Sequence, residues 1–302
     1  MDELIIAVGL NENVMRDQNP NVPITPDEIA RDVAACQEAG ATVIHLHARD
    51  PRTGAPKMND PDQYLQIYHA IGKVADIPVY PTYPTNVPAN ERYQHIVALA
   101  EHSACKLEIA PIIGGTTNLV GFDPQTKQLR GRDLDQTVLF NPWSYMLQHM
   151  EVARKYDLWV SHDIFEPGMV RNVVTMWEMG LYHRPMLLKF FMSEHMPFGF
   201  PPEPRFLQAL VDLVPDDLDT EWLFFPFGVS YRTAREMWTW AIAHGGHVRV
   251  GVGDNPSGEG YLPTNAERVR EMVELAHSLG REVASVAEVR ARFAPIKVAQ
   301  AG

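Results

Sequence analysis

His45 and His47 form a His-x-His pattern inside the run Val43-Ile44-His45-Leu46-His47-Ala48-Arg49-Asp50. Read as a strand, this run turns both imidazoles to one face and Ile44, Leu46 and Ala48 to the other, because strand side chains alternate with a period of two. Two imidazoles on one face near a strand end can share a divalent ion at about 2.0–2.1 Å from each nitrogen. The bland alternative is a pair of hydrogen-bonded core histidines. Catalytic zinc usually takes three protein ligands and keeps a further position for water or substrate. The candidates to complete such a site are the acidic and imidazole groups at the ends of other apolar runs: Glu12, Glu108, His162, Asp163 and Asp254. Glu108 lies in Lys106-Leu107-Glu108-Ile109-Ala110, where a carboxylate is costly unless it is metal-bound or paired, for instance with Arg49 or Lys189. Alternation lets only one of His162 and Asp163 face the same side as the pair, and the nearby Glu166 reads as a helix cap.

A second constellation ends the chain's last apolar run, His247-Val248-Arg249-Val250-Gly251-Val252-Gly253-Asp254-Asn255. Arg249 is a lone cation inside that run, and Asp254 follows at its end. An arginine can fix an anion while a carboxylate moves a proton; a structural ion pair is the competing explanation. Thr82, in Pro81-Thr82-Tyr83-Pro84, stands where a substrate could be lined, although turn chemistry also explains that segment.

These residues need a scaffold that gathers strand ends. Eight strand-like runs recur: 4–10, 42–49, 78–83, 104–110, 158–165, 186–192, 221–228 and 247–254. Helix signals lie between them. Thr25-Pro26-Asp27-Glu28 and Thr264-Asn265-Ala266-Glu267 are capping boxes, Asp60-Pro61 and Asn141-Pro142 are cap-then-proline pairs, and Gly40, Gly180, Gly245 and Gly280 mark helix stops. Eight β/α units in 302 residues predict one (β/α)8 TIM barrel, residues 1–302, with its chemistry at the C-terminal strand ends. A doubly wound open sheet is the alternative, but strand 1 runs into Asn11-Glu12-Asn13 without the glycine-rich turn of a nucleotide site.

Composition narrows the function class. A formal charge of −12 argues against nucleic acid and anionic membranes as partners. The two cysteines, Cys36 and Cys105, make neither a disulfide framework nor a thiolate metal site and suit a reducing compartment. With no apolar run of membrane-spanning length and no leader-like start, the expected location is the cytoplasm.

Taken together, several of these segments resemble the β-keto acid cleavage enzyme family. The resemblance is carried by Pro20-Asn21-Val22-Pro23-Ile24-Thr25-Pro26, by Glu38-Ala39-Gly40-Ala41 leading into the His-x-His block, by Glu166-Pro167-Gly168-Met169-Val170, and by Gly245 through Asn255. It implies a zinc-dependent barrel that condenses a β-keto acid with acetyl-CoA and releases acetoacetate and a new CoA ester. It further implies His45 and His47 as zinc ligands, Arg249 and Asp254 as the acid–base pair, and a homotetramer or similar assembly.

The chain departs from the family pattern at several positions. The usual glutamate ligand before the strand-8 Asp-Asn is Gly253, the Ser-Thr-Gly-Gly after strand 3 is Pro81-Thr82-Tyr83-Pro84, and the usual asparagine on strand 4 is Glu108. The expectation joining two of these changes is that Glu108 supplies the carboxylate that Gly253 lacks. Glu12, Thr82 and Asp163 are then expected to contact substrate, although the family's acidic residue after strand 1 aligns with either Glu12 or Asn13. Two other functions compete. An amidohydrolase-like metal hydrolase would carry histidine on strand 6, where this chain reads Leu187-Leu188-Lys189-Phe190-Phe191-Met192. A non-catalytic barrel binding an acyl-CoA or keto acid would explain the lost glutamate.

Overall fold

The computed structural model describes residues 1–85, 87–130 and 138–296. Eight parallel strands form one sheet: β1 (Ile6–Gly9), β2 (Val43–Leu46), β3 (Val79–Pro81), β4 (Ile109–Ile113), β5 (Trp159–Ile164), β6 (Met186–Met192), β7 (Thr220–Pro226) and β8 (His247–Val250). Their hydrogen-bonded order is β3-β2-β1-β8-β7-β6-β5-β4. The sheet curls until its outer strands, β3 and β4, are neighbours. No ladder joins them, and their composition gives a reason: Pro81 and Pro111 have no N–H to donate. Side chains bridge the seam instead. Ile113 N donates to the Tyr83 hydroxyl at 2.9 Å, and the Tyr93 hydroxyl donates to the Pro111 carbonyl. The result is a nearly closed TIM-like barrel.

The strands are buried on both faces, which is why they read as short apolar runs; all seven residues of β6 are buried. Helices cover the outside: α1 (Pro26–Ala39), α2 (Pro61–Ile71), α3 (Ala89–Arg92), α4 (Gln94–Glu101), α5 (Trp143–Lys155), α6 (Pro167–Glu178), α7 (Pro204–Val211), α8 (Tyr231–Ala243), α9 (Asn265–Ser278) and α10 (Val286–Arg292). Both expected capping boxes form, at Thr25/Glu28 and Thr264/Glu267, and α1 stops where Gly40 takes a φ of 114°. Asn141 does not cap α5. Its amide donates to the Ile113 carbonyl at 2.6 Å and its oxygen accepts from Arg92 at 2.7 Å, tying the start of α5 to the end of β4.

Two differences from the sequence reading bear on the site. The fourth strand spans Ile109–Ile113 rather than 104–110, so Glu108 precedes it instead of sitting within it. And α10, with its own Ser285/Glu288 capping box, packs at the N-terminal end of the barrel. There Arg290 and Arg292 reach Glu108 and Glu221, and Phe293 stacks on Trp159 at the start of β5 with ring centroids 4.1 Å apart.

A candidate metal and substrate site at the C-terminal strand ends

His45 is the penultimate residue of β2, and His47 lies just past its end. Alternation holds: both rings turn to the barrel axis, 5.2 Å apart and nearly perpendicular. Glu12, in the loop after β1, meets both. Its Oε1 lies 3.0 Å from His45 Nε2 and its Oε2 lies 2.7 Å from His47 Nε2. These three side chains form a cluster suited to a metal ion, with ligand atoms all within 4.8 Å of one another. The chemistry of the donors fits a cation. Burial pushes His45 down to about 3, with Arg249 and His47 adding to that shift against Glu12, so its ring is neutral and keeps a lone pair. For Glu12, burial favours the acid form, but His45, His47 and Arg249 outweigh it and hold the carboxyl well below the usual range.

The loop carrying Glu12 is held from several sides. Asn11, fully buried, accepts from His47 N at 2.8 Å and returns a bond to the His47 carbonyl at 3.0 Å, like an extra strand partner. Arg49, 1% exposed, donates to the Asn11 carbonyl at 2.8 Å and to the Glu12 carbonyl. Glu12 itself has a φ of 35°, a left-handed backbone unusual for a non-glycine residue and maintained only where the surroundings enforce it. Sequence reasoning counted Glu12 among the candidates to complete the metal site but settled it among the substrate contacts, and it overlooked Asn11. The signal for Glu12 was its position, a carboxylate directly after an apolar strand.

Glu108 does not join the cluster. It precedes β4, at the opposite end of the barrel, where Arg290 clamps it with Nε at 2.9 Å and Nη2 at 2.8 Å. The expectation that Glu108 replaces the missing carboxylate is corrected: a strand read a few residues too early put it at the wrong end. The paired alternative is what occurs, with Arg290 rather than Arg49 or Lys189.

Beside the cluster lies a cavity of about 240 Å³. The three expected substrate contacts, Glu12, Thr82 and Asp163, all line it, as does Arg249. Asp163 is the inward member of its pair, while His162 points away and bonds Tyr182 at 2.6 Å. Asp163 is the register partner of Lys189 on β6, and their charged groups stand 2.6 Å apart. Lys189 is 1% exposed; burial opposes its charge, but Asp163 and Tyr80 outweigh that and raise its pKa.

Arg249 meets Asp254 in a two-point pair, Nε to Oδ2 at 2.8 Å and Nη2 to Oδ1 at 2.9 Å, and also reaches Glu12. Asp254 sits behind the guanidinium, its side chain 1% exposed, and does not line the cavity. Burial, aided by Glu12, pushes Asp254 up to about 7 against the pull of Arg249. The Trp238 indole donates to the Arg249 carbonyl at 2.9 Å, so that tryptophan packs α8 onto β8.

Tyr80, on β3, was not singled out from sequence. Its ring lies 4.5 Å from that of His45, its register partner. Its hydroxyl accepts from Lys189 Nζ at 3.2 Å and from Arg249 Nη1 at 3.1 Å. Both neighbours can only donate, so the phenolic proton is left for another acceptor. Tyr80 lines the cavity.

The beta-keto acid cleavage enzyme family matches residues 3–294. The chain belongs to this family. It is 28% identical to a 3-dehydrocarnitine:acetyl-CoA trimethylamine transferase of Rhizobium meliloti, over 95% of this chain and 94% of that protein. It is likewise 28% identical to the 3-keto-5-aminohexanoate cleavage enzyme of Acetoanaerobium sticklandii, over 96% of this chain and 97% of the relative. Among solved structures, the apo form of ObcA shares the fold with a TM-score of 0.72 at 15% identity, covering 91% of this chain and 66% of ObcA. Membership makes the chain one of the beta-keto acid cleavage enzymes, and the likeness to ObcA agrees with the barrel fold. Among the described residues, no helix is long and apolar enough to cross a membrane.

Proposed function

We propose that the protein is a zinc-dependent β-keto acid cleavage enzyme, condensing a β-keto acid with acetyl-CoA to give acetoacetate and a new CoA ester. The observation that carries this reading is the convergence of Glu12, His45 and His47 beside Arg249 on the wall of one cavity, in a chain of this family. In this reading Glu12, not Glu108, completes the ligand set. Two imidazoles and a carboxylate are a donor set used by catalytic zinc, and the bound ion would act as a Lewis acid toward the keto oxygen.

The remaining work falls to this chain's own groups. A β-keto acid brings a carboxylate, and Arg249 and the Tyr80 hydroxyl are the cavity's donors for it. The reaction then needs a proton removed from the carbon between the carboxylate and the ketone. Arg249, the group at the cavity wall, would take that proton only while handing one of its own N–H protons to the Asp254 carboxylate behind it, so the guanidinium keeps its charge and the proton ends on Asp254. Asp163 holds Lys189 in place, and Lys189 holds the Tyr80 hydroxyl. Water is limited by the apolar walls, which strengthens each of these interactions.

Incubation of zinc-loaded protein with acetyl-CoA and a panel of β-keto acids tests the reading. Acetoacetate and a new CoA ester in equal amounts are expected. Absence of both from every acid, with metal verified in the protein, rejects it. An amidohydrolase-like activity finds less support, because β6 contributes Lys189 and no histidine.

A further inference from the structure

We infer that the cavity takes β-keto acids whose distal group is uncharged and apolar, with Phe165, Phe191, Phe225 and Phe227 forming the wall that selects it. This rests on the cleavage reading above and names its substrate class.

The charged groups lining the cavity, among the described residues, are Glu12, Asp163, Lys189 and Arg249, beside the two cluster histidines. Each already has a partner. Glu12 faces His45, His47 and Arg249; Asp163 faces Lys189; and Arg249 is also held by Asp254. Among the described residues, each charged side chain of the lining already faces an opposite charge, so none of these side chains is left over to pair an ammonium tail or a second carboxylate. A charged tail brought here would lose its hydration without gaining a counter-ion, and burial of an unpaired charge is strongly unfavourable.

What remains of the lining is largely apolar. Phe191 packs between Phe165 and Phe225, with ring centroids 4.2 and 3.8 Å away. Phe227 meets Phe225 edge to face at 6.1 Å. Ile113, Leu119 and Leu139 add aliphatic surface. Aromatic faces could in principle hold a quaternary ammonium. Here the two innermost rings are engaged: Phe191 is flanked by Phe165 and Phe225, and the Arg249 guanidinium lies 3.9 Å from the Phe225 ring centroid. A second cation near Phe225 would meet that arginine. The cavity volume suits a short alkyl tail rather than a long chain.

The test compares kcat/KM, at fixed acetyl-CoA, for 3-oxopentanoate and 3-oxohexanoate against 5-amino-3-oxohexanoate, 3-oxoadipate and 3-dehydrocarnitine. The uncharged acids are expected to lead by about 100-fold. A charged acid turned over as fast as either uncharged one overturns the inference and leaves the cleavage reading standing. Should no acid yield a CoA ester, the cleavage reading falls. Calorimetric binding of the same five acids to zinc-loaded protein then decides the inference separately, with tighter binding of the uncharged pair expected and equal or reversed affinities overturning it. Phe227→Glu, at a half-buried position, is expected to move the ratio of 5-amino-3-oxohexanoate to 3-oxohexanoate turnover by about tenfold or more toward the amine. An unchanged ratio in a variant of normal Tm removes Phe227 from the wall.

Discussion

A Cβ placed on Gly253 would stand 2.9 Å from Cγ of Glu12, and 2.7 Å from both the Asn11 nitrogen and the Gly9 carbonyl oxygen. The Glu12 side chain therefore occupies space that only glycine at 253 leaves open. The two positions are coupled sterically in this chain: Glu12 in its left-handed conformation and a side chain at 253 exclude each other. Gly253→Ala is expected to displace Glu12, lower bound zinc well below one per chain, and cost about 1–3 kcal/mol of stability. Elemental analysis and a denaturation curve check it; full zinc content would refute the coupling.

Ligand assignment predicts a sharp contrast between two glutamates. Glu12→Gln and His47→Ala should each weaken zinc binding by about 100-fold or more, measured by competition with a chelator. Glu108→Gln should leave zinc affinity and kcat unchanged and lower only stability, because it loosens Arg290 at the far end of the barrel. Zinc loss in Glu108→Gln would reinstate Glu108 as a ligand.

Tyr80→Phe keeps the ring beside His45 and removes only the hydroxyl. Zinc content is expected to hold, while kcat/KM falls by about 100-fold, the size of losing one preorganised donor. Steady-state kinetics on the metal-loaded variant measures it. Unaltered kinetics would make the tyrosine a packing residue alone.

Acid stability should depend on Glu221. It accepts from Arg292 at 2.5 Å, from the chain's terminal amine at 2.6 Å and from His247 at 3.0 Å. Burial raises its pKa, but these partners outweigh burial and bring it from 4.5 to about 2. The folded-state value lies below the unfolded one, so the stabilisation is present above about 4.5 and is lost as pH falls toward 2. Glu221→Gln should cost about 2 kcal/mol at neutral pH and flatten the acid limb of the stability profile. Urea midpoints from pH 7 to pH 2 give the comparison; parallel profiles would exclude the role.

The sequence by itself determined the parts whose physics is local. Alternation put His45 and His47 on one face, capping boxes fixed the starts of α1 and α9, and buried apolar runs gave parallel strands and hence a barrel whose candidate site lies at one end. It also singled out Glu12, Thr82, Asp163 and Arg249, which the fold brings to the lining of one cavity, and Asp254, which pairs with Arg249. Only the tertiary structure decided which carboxylate joins the histidines. That choice depends on where β4 begins, on a left-handed residue at Glu12, and on the space left by Gly253, which is over two hundred residues away in the chain. Glu108 illustrates the difference. Its burial cost was legible, but its partner lies on α10, and a shift of a few residues in strand register moves a side chain from one end of a barrel to the other. The Tyr80 hydroxyl between Lys189 and Arg249 was equally hidden, because three strands distant in sequence meet there only when the sheet curls on itself.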